Sequence, residues 1–192
     1  VYKTVDGAQS WMHANTGVQE LAIVYTIAVD PTDSSRIYIG TRSGSPGISG
    51  RPWQGAAYRS LDGGDSWTAM SGTDNIGGDQ VKDWFYSIAV NPNNPNVLLA
   101  AAHESGPHRS TDGGGTWLPA KNGIVNCAAP QADGCHTRTI VYDPRPAYAG
   151  TAYLGTWRGS GVYKTSDNGG YWTFHDTGLG DTDIYRLAID PN

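Results

Sequence analysis

The chain contains little charge, little sulfur and no long apolar run. Of its 192 residues, 13 are Lys or Arg and 18 are Asp or Glu, which gives a formal net charge of −5. A nucleic-acid partner requires a concentrated basic face, and these scattered basic residues argue against one. No stretch of 18 apolar residues occurs, so the sequence predicts no membrane span.

Phe and Met are equally scarce, with two of each, and no long helical period is present. By contrast, the chain has 26 Gly, 11 Pro, 7 Trp and 11 Tyr, a composition typical of many short strands joined by turns. The sequence therefore predicts an all-β protein.

The motifs of several common enzyme classes are missing. The sequence contains no Gly-x-Ser-x-Gly elbow, no His-Glu-x-x-His, no phosphate-binding Gly-Lys-Ser/Thr and no dinucleotide fingerprint. The five His are scattered, and His103 and His108, which flank one short turn, are a weak metal signal. We therefore predict no cofactor and no metal site.

The two cysteines, Cys127 and Cys135, lie in one polar loop with Pro130 and Gly134 between them. This short separation suits a disulfide that staples the loop and contributes about 2–3 kcal/mol in the loop-entropy model. A disulfide favours an oxidising, extracellular compartment. The alternatives are two free thiols in a cytosolic loop, or a zinc site, for which no second Cys pair or His pair has the spacing.

One motif, Ser/Thr-x-Asp-x-Gly-x-x-Trp, occurs four times, and its Asp residues are 56, 50 and 55 residues apart. Such a period marks a repeat architecture. The Asp carboxylate can accept hydrogen bonds from N–H groups one and two residues on, Gly supplies a positive φ, and Trp covers the turn. Each box therefore predicts a β-hairpin, with a looser turn in the first copy, where Ala8 replaces Gly. The boxes contain Asp6, Asp62, Asp112 and Asp167 and end at Trp11, Trp67, Trp117 and Trp172.

Three further segments recur in phase with the box. A short β-prone run precedes it and ends in a basic residue, which we interpret as a solvated strand position. An apolar run closed by an Asx-Pro turn begins each repeat, and another strand follows that turn. Four antiparallel strands per repeat of about fifty residues are typical of a propeller blade, with the apolar strand innermost. The pre-box runs are 1–3, 57–59, 107–109 and 162–164; the first strands are 25–31, 86–92, 139–144 and 185–191; the second strands are 36–40, 96–100 and 151–155.

These boxes resemble the Asp-box, or bacterial neuraminidase, repeats of sialidases, family-74 xyloglucanases, sortilin-type receptors and a photosystem assembly factor. The resemblance covers essentially the whole chain. It implies a β-propeller built of four-stranded antiparallel blades with Asp-box hairpins. It implies a fold and not an activity, because the box lies on the blade periphery and propellers host unrelated functions.

We expect residues 1–192 to form a single propeller segment. Residues 1–19 would be the C-terminal half of a blade, 20–75, 76–123 and 124–180 three blades, and 181–192 the first strand of the next blade. The two ends together would make a blade without its second strand, which favours a partial propeller of about four blades over a self-closed ring. Alternatively, another copy of the chain supplies the missing edge, because open blade edges invite pairing.

The three Trp outside the boxes, Trp53, Trp84 and Trp157, follow second or fourth strands. In a four-stranded meander those connections emerge on one face, opposite the boxes. Aromatic rings beside Arg, Asp and His on loops suit sugar recognition; alternatively, these rings cap the hydrophobic edges of the blades. The predicted ligand-binding residues are Trp53, Trp84, Trp157, Arg42, His103, Glu104, Arg158 and Asp183.

Catalytic residues are not assigned from the sequence. A glycosidase needs two carboxylates about 5–10 Å apart. The remaining acids on the loop face, for each of which a solvated loop role is favoured over catalysis, are Asp79, Asp83, Glu104, Asp181 and Asp183. The sialidase resemblance implies an arginine triad, a Tyr-Glu pair and an Arg-Ile-Pro sequence. The last is absent, and Arg42, Arg51, Arg138 and Arg158 are too loosely placed to form a triad. The xyloglucanase resemblance implies two Asp from different propeller lobes, and one lobe does not supply both.

Three functions remain open from the sequence. The first is a non-catalytic extracellular module that binds a glycan or another protein through the loop face. The second is a segment of a secreted glycoside hydrolase of the xyloglucanase or sialidase kind. The third is a structural subunit that self-associates through open blade edges.

Overall fold

The computed structural model describes residues 1–20, 22–42, 57–71, 84–125, 127, 135–158, 161–180 and 182–192. Of the residues singled out above, Trp53, Arg51, Asp79, Asp83 and Asp181 lie outside these ranges. Within them, no helix has the length and apolar character that a membrane crossing requires.

The described residues form three four-stranded antiparallel sheets and one two-stranded hairpin. The hairpin contains β1 (Tyr2–Lys3) and β2 (Met12–His13). The first blade contains β3 (Ile23–Asp30), β4 (Asp33–Arg42), β5 (Ala57–Ser60) and β6 (Thr68–Ala69). The second contains β7 (Phe85–Val90), β8 (Leu98–Ala102), β9 (Gly106–Ser110) and β10 (Leu118–Pro119). The third contains β11 (Thr137–Tyr142), β12 (Ala152–Thr156), β13 (Val162–Thr165) and β14 (Thr173–Phe174), with a 3₁₀ turn at Pro146–Tyr148 between β11 and β12.

Strands pair in chain order within each blade, so the predicted all-β fold of four-stranded antiparallel blades is confirmed. The exact division of the chain into blades stays a prediction. The sequence also predicts a strand over 185–191, but no strand is assigned within 182–192. This segment runs beside the third blade, where the Ile184 N–H donates to the Thr156 carbonyl oxygen at 2.8 Å.

The core of the molecule lies between successive blades. One apolar cluster joins Tyr38 and Met70 of the first blade to Phe85 and Trp117 of the second. The next cluster joins the second blade to the third in the same way. First strands of neighbouring blades contact one another, β3 with β7 and β7 with β11, as expected for innermost strands. The deepest burial is nevertheless in a second strand, since all five residues of β8 are buried. Stability therefore depends on contacts between repeats.

Each Asp box forms the turn between the third and fourth strands of its repeat. In the third copy, Asp112 Oδ1 accepts hydrogen bonds from the Thr116 N–H at 2.9 Å and the Ser110 hydroxyl at 2.8 Å. The Ser110 hydroxyl oxygen accepts the Gly114 N–H at 2.8 Å. The expectation that Asp binds N–H groups one and two residues on is therefore wrong. The bond spans four residues because two left-handed glycines, Gly113 and Gly114, turn the chain back.

The first box keeps the same geometry although Ala8 replaces the glycine. Ala8 adopts φ 70° and donates its N–H to the Thr4 hydroxyl at 2.9 Å, while Ser10 donates to Asp6 at 3.0 Å. The expected looser turn is therefore wrong. The hydrogen bonds of the box hold an L-residue in a left-handed conformation that costs about 1–2 kcal/mol.

Box tryptophans wedge between repeats. The buried indoles of Trp67 and Trp172 donate to carbonyl oxygens of the preceding repeat, Ala14 at 2.9 Å and Ala120 at 2.8 Å. Trp11, in the first box, is 59% exposed. The box Trp is thus a contact between blades as well as a cover for its own turn.

The basic residue before the box also joins repeats. Lys3 Nζ lies 2.7 Å from a carboxylate oxygen of Asp65 in the next box, and Arg59 Nη1 donates to the Gly113 carbonyl oxygen at 2.8 Å in the box after that. Our interpretation of these positions as solvated is therefore wrong for Lys3 and Arg59. A long side chain on the third strand reaches the Asp box of the adjacent blade.

We expect the box carboxylates to make the fold sensitive to acid. The hydrogen bond from the Ser10 side chain lowers the pKa of Asp6 to about 2, and that from the Thr116 N–H lowers the pKa of Asp112 to about 2. In the unfolded chain these groups titrate near pH 3.9. The unfolded state therefore binds more protons at acid pH, so stability present above about pH 4 is lost as the pH falls towards about 2.

The urea midpoint, measured from about pH 6 down to about pH 2, checks this expectation. Asp112→Asn, which cannot ionise, should lower the midpoint at neutral pH and reduce its dependence on pH. A wild-type midpoint that stays constant across the range would contradict the role of the boxes.

Candidate functional site

The candidate site lies at the end of the blades opposite the Asp boxes. In the second blade Leu98 pairs with the box residue Ser110, whereas Phe85 pairs with Ala102 at the other end of the strands. Trp84 and His103, which flank that second pair, therefore lie away from the box, and the His103 N–H donates to the Trp84 carbonyl oxygen at 2.9 Å.

The third blade repeats this arrangement. Thr137 pairs with Thr156, and the flanking residues His136 and Trp157 are joined by a hydrogen bond of 3.0 Å from the Trp157 N–H to the His136 carbonyl oxygen. Two neighbouring blades thus each present one Trp and one His at the same edge. Arg42 ends the second strand of the first blade and lies at the equivalent edge.

These side chains form a continuous row, which we call the aromatic band (Arg42, Trp84, His103, His136, Trp157 and Arg158). Trp84 and His103 are stacked with ring centroids 4.5 Å apart. His103 lies 5.2 Å from His136, which lies 5.8 Å from Trp157. The guanidinium groups at the ends lie over tryptophan rings, Arg42 over Trp84 at 4.0 Å and Arg158 over Trp157 at 5.2 Å.

The two tryptophans of the band are less buried than three of the box tryptophans. Trp84 and Trp157 are half-buried, whereas Trp67, Trp117 and Trp172 are buried. This difference in burial distinguishes the band from the contacts between blades.

A disulfide positions His136 in the band. Cys127 is bonded to Cys135, with Cα atoms 4.6 Å apart, as the spacing predicts. The Cys135 N–H donates to the Glu104 carbonyl oxygen at 2.7 Å, so the third blade is fastened to the turn of the second. His136 follows directly, and its Nδ1 lies 3.1 Å from the His103 carbonyl oxygen. His136 is absent from the predicted binding residues, although the sequence places its loop on the same face.

Two of the predicted acids, Glu104 and Asp183, occupy the same region. Glu104 Oε1 lies 3.5 Å from His103 Nδ1, and its side chain is about half exposed. Asp183 is half-buried in a segment that is fixed to the third blade, since its neighbour Thr182 accepts the Gly161 N–H at 3.0 Å. Among the described residues no three His, Cys, Asp or Glu side chains form a group that could hold a metal ion.

Arg158 is strained. Its φ of 65° places a residue other than glycine in the left-handed region. Such strain costs about 1–3 kcal/mol and is often found at functional sites. The conformation turns Arg158 towards the Trp157 ring at the end of the band.

A small pocket adjoins the band. It has a volume of about 120 Å³ and is lined by Tyr25, Tyr86, Arg138, Tyr185 and Arg186. Arg138 lies over the Tyr86 ring at 4.3 Å and over Trp157 at 5.7 Å, so the pocket and the band share an edge. The tyrosines and Arg186 are absent from the predicted site, although Tyr25, Tyr86 and Tyr185 recur at one position of the first-strand motif.

Comparison with known proteins agrees with the fold. No family model matches the chain. A probable oligoxyloglucan-reducing end-specific xyloglucanase of Neosartorya fischeri is 28% identical over 148 residues, which are 77% of this chain and 17% of that protein. The xyloglucanase Xgh74A of Acetivibrio thermocellus is 29% identical over 168 residues, which cover 78% of this chain and 19% of the relative. The chain therefore spans less than a fifth of the length of these curated relatives.

Solved structures show the same architecture. An ancestral GH74 enzyme aligns with a TM-score of 0.62 and 23% identity over 92% of this chain and 22% of its own. A mutant NanB sialidase from Streptococcus pneumoniae aligns with a TM-score of 0.54 and 11% identity, over 85% of this chain and 25% of its own. YCF48 bound to D1 peptide aligns with a TM-score of 0.53 and 18% identity, over 80% of this chain and 40% of its own. The predicted resemblance to sialidase and GH74 propellers is confirmed at the level of the fold.

Proposed function

We propose that this chain is the glycan-binding part of an extracellular β-propeller, and that the aromatic band is its binding surface. The single observation that carries the proposal is the row of rings on the face away from the boxes, formed by half-buried Trp84, His103 and Trp157 and by buried His136. Flat apolar rings flanked by hydrogen-bond donors match the two faces of a sugar, an apolar ring face and a polar edge.

The contacts around the band support this function. Each terminal tryptophan is held by an arginine, so its orientation is fixed before a ligand arrives. A preorganised ring loses less conformational freedom on binding, which leaves more of the interaction energy for affinity. Arg158, at an exposed position, also supplies N–H donors that can reach the hydroxyl groups of a sugar stacked on the band.

The relatives indicate a class of glycan. Both curated relatives are xyloglucanases by name, and xyloglucan has a β-1,4-linked glucan backbone whose flat rings suit a row of aromatic side chains. We therefore propose a β-glucan of the xyloglucan type as the ligand. The disulfide between Cys127 and Cys135 supports an extracellular location.

A second candidate function is participation in hydrolysis. The names of the relatives favour it, and Glu104 and Asp183 place carboxylates on the same face as the band. Since the chain spans less than a fifth of those relatives, we propose for this chain the substrate-binding wall of such an enzyme. Pairing through open blade edges stays a prediction.

Calorimetric titration with a xyloglucan oligosaccharide tests the proposal. Trp84→Ala and Trp157→Ala should each weaken binding by at least about fivefold, because each removes one of the two large aromatic contacts of the band. Circular dichroism should show that the variants remain folded, since neither ring belongs to the clusters between blades.

Trp11→Ala is the matched control, because Trp11 is exposed but lies in an Asp box at the other end of the strands. It should leave affinity unchanged. Equal losses in all three variants, or no loss in the two band variants, would refute the assignment of the band.

A further inference from the structure

The pocket beside the band is built from equivalent residues of successive repeats. In the first blade, Val24 and Thr26 pair with residues of the second strand, but Tyr25 between them does not. The same irregularity occurs at Tyr86 in the second blade and at Arg138 in the third. Tyr185 occupies the same position in the fourth copy of the motif. A bulge turns its extra residue out of the ladder and re-aims its side chain.

The re-aimed side chains converge. The Tyr25 and Tyr86 rings are 4.9 Å apart, edge to face. The Arg138 guanidinium lies 4.3 Å from the Tyr86 centroid and 5.1 Å from that of Tyr185. Three bulges in consecutive blades thus build one pocket, a feature that hairpin folding and blade packing do not require.

The charge in this pocket is unbalanced. Arg138 and Arg186 both line it, and none of the ion pairs within the described part of the chain involves either residue. A guanidinium stacked against aromatic faces keeps its N–H edge available, and that edge matches the two oxygens of a carboxylate. Burial raises the pKa of Tyr86, so its phenol remains protonated near neutral pH and can donate a hydrogen bond.

We propose that this pocket binds the carboxylate of an acidic saccharide, a uronate residue carried by a glycan that lies along the aromatic band. Arg138 is the principal contact, and Arg186 and the tyrosine hydroxyls supply further donors. The inference rests on the proposed function, because Arg138 also lies 5.7 Å from the Trp157 ring, which joins the pocket to the band. This continuity favours a saccharide over an acidic peptide.

The test compares two probes of equal length, cellotetraose and the same tetraose with C6 alcohols oxidised to glucuronate carboxylates. The oxidised tetraose should bind about tenfold or more tightly, since hydrogen bonds to charged groups are the stronger ones. Added salt should reduce this preference. Arg138→Gln should abolish the preference, measured as the ratio of the two affinities.

Arg109→Gln is the matched control, because it removes the same charge from a strand residue next to an Asp box. It should leave the preference intact. Arg186→Gln, at an exposed position, gives a second variant that should weaken the preference even where Arg138→Gln lowers stability.

The outcomes separate the two proposals. Binding of both tetraoses with equal affinity, or a preference that survives both pocket variants, overturns the carboxylate pocket and leaves the aromatic band standing. Tighter binding of an oligoglutamate peptide than of the oxidised tetraose overturns the saccharide assignment. Absence of binding to either tetraose overturns the proposed function together with this inference.

Discussion

Replacing Trp172 with Ala is expected to lower the free energy of unfolding by about 3–5 kcal/mol, the range for removing a large buried aromatic side chain. Trp172 is fully buried in the apolar cluster between the second and third blades. Its indole N–H donates to the Ala120 carbonyl oxygen at 2.8 Å. The substitution leaves a cavity and an unpaired carbonyl group where two blades meet.

Trp11→Ala is the control, because Trp11 occupies the same position in its box but is exposed. Its removal should change the free energy of unfolding by less than about 1 kcal/mol. Urea titrations of both variants against the wild type measure the difference. Similar losses in the two variants would show that the box tryptophan stabilises its own hairpin and not the contact between blades.

Gly123→Ala should destabilise the protein by about 2–4 kcal/mol. Gly123 has a φ of 86°, where a side chain costs about 1 kcal/mol or more. A Cβ added there would also overlap the carbonyl oxygen of Trp172, and overpacking of this kind costs about 1–3 kcal/mol. Gly123 and the Trp172 backbone lie close together because Asn122, the residue before Gly123, accepts the Trp172 N–H at its carbonyl oxygen at 2.9 Å.

The chain provides a matched control for Gly123→Ala. Gly178 occupies the equivalent position after the third blade and has a φ of 89°, but an added Cβ would meet nothing within 4 Å. Gly178→Ala should therefore lower the free energy of unfolding only by the cost of placing a side chain in the left-handed region. Thermal and urea unfolding of the two variants isolate the contact between blades, and equal destabilisation would contradict it.

Strand order was predictable because turn chemistry is local. The box fixes a hairpin with residues at most seven positions apart, and the Asx-Pro motif fixes the turn before it: in the first repeat Asp30 Oδ1 accepts the Thr32 N–H at 2.8 Å. These signals recur in phase, so the four-stranded repeat follows from the sequence alone. The reach of Lys3 and Arg59 to neighbouring boxes does not follow, because it depends on how blades pack.

In the site, too, some features follow from the local sequence and others depend on how the blades pack. The phase of the loops predicts that Trp84, Trp157, His103 and Arg42 share one face, and the structure brings them into one row. The loop of His136 was predicted on this face, but the contact between His136 and His103 was not predictable, since it depends on how the second and third blades pack. The pocket tyrosines were missed because a bulge is a property of register, and register is absent from a single-strand pattern.

The central claim is that a glycan lies on the aromatic band, and the indole N–H signals of the tryptophans test it most directly. In ¹H–¹⁵N spectra recorded while a xyloglucan oligosaccharide is added, the signals of Trp84 and Trp157 should shift progressively and saturate. Those of the buried box residues Trp67, Trp117 and Trp172 should remain in place. Shifts confined to box indoles, or no shift at Trp84 and Trp157 at saturating oligosaccharide, would contradict the account.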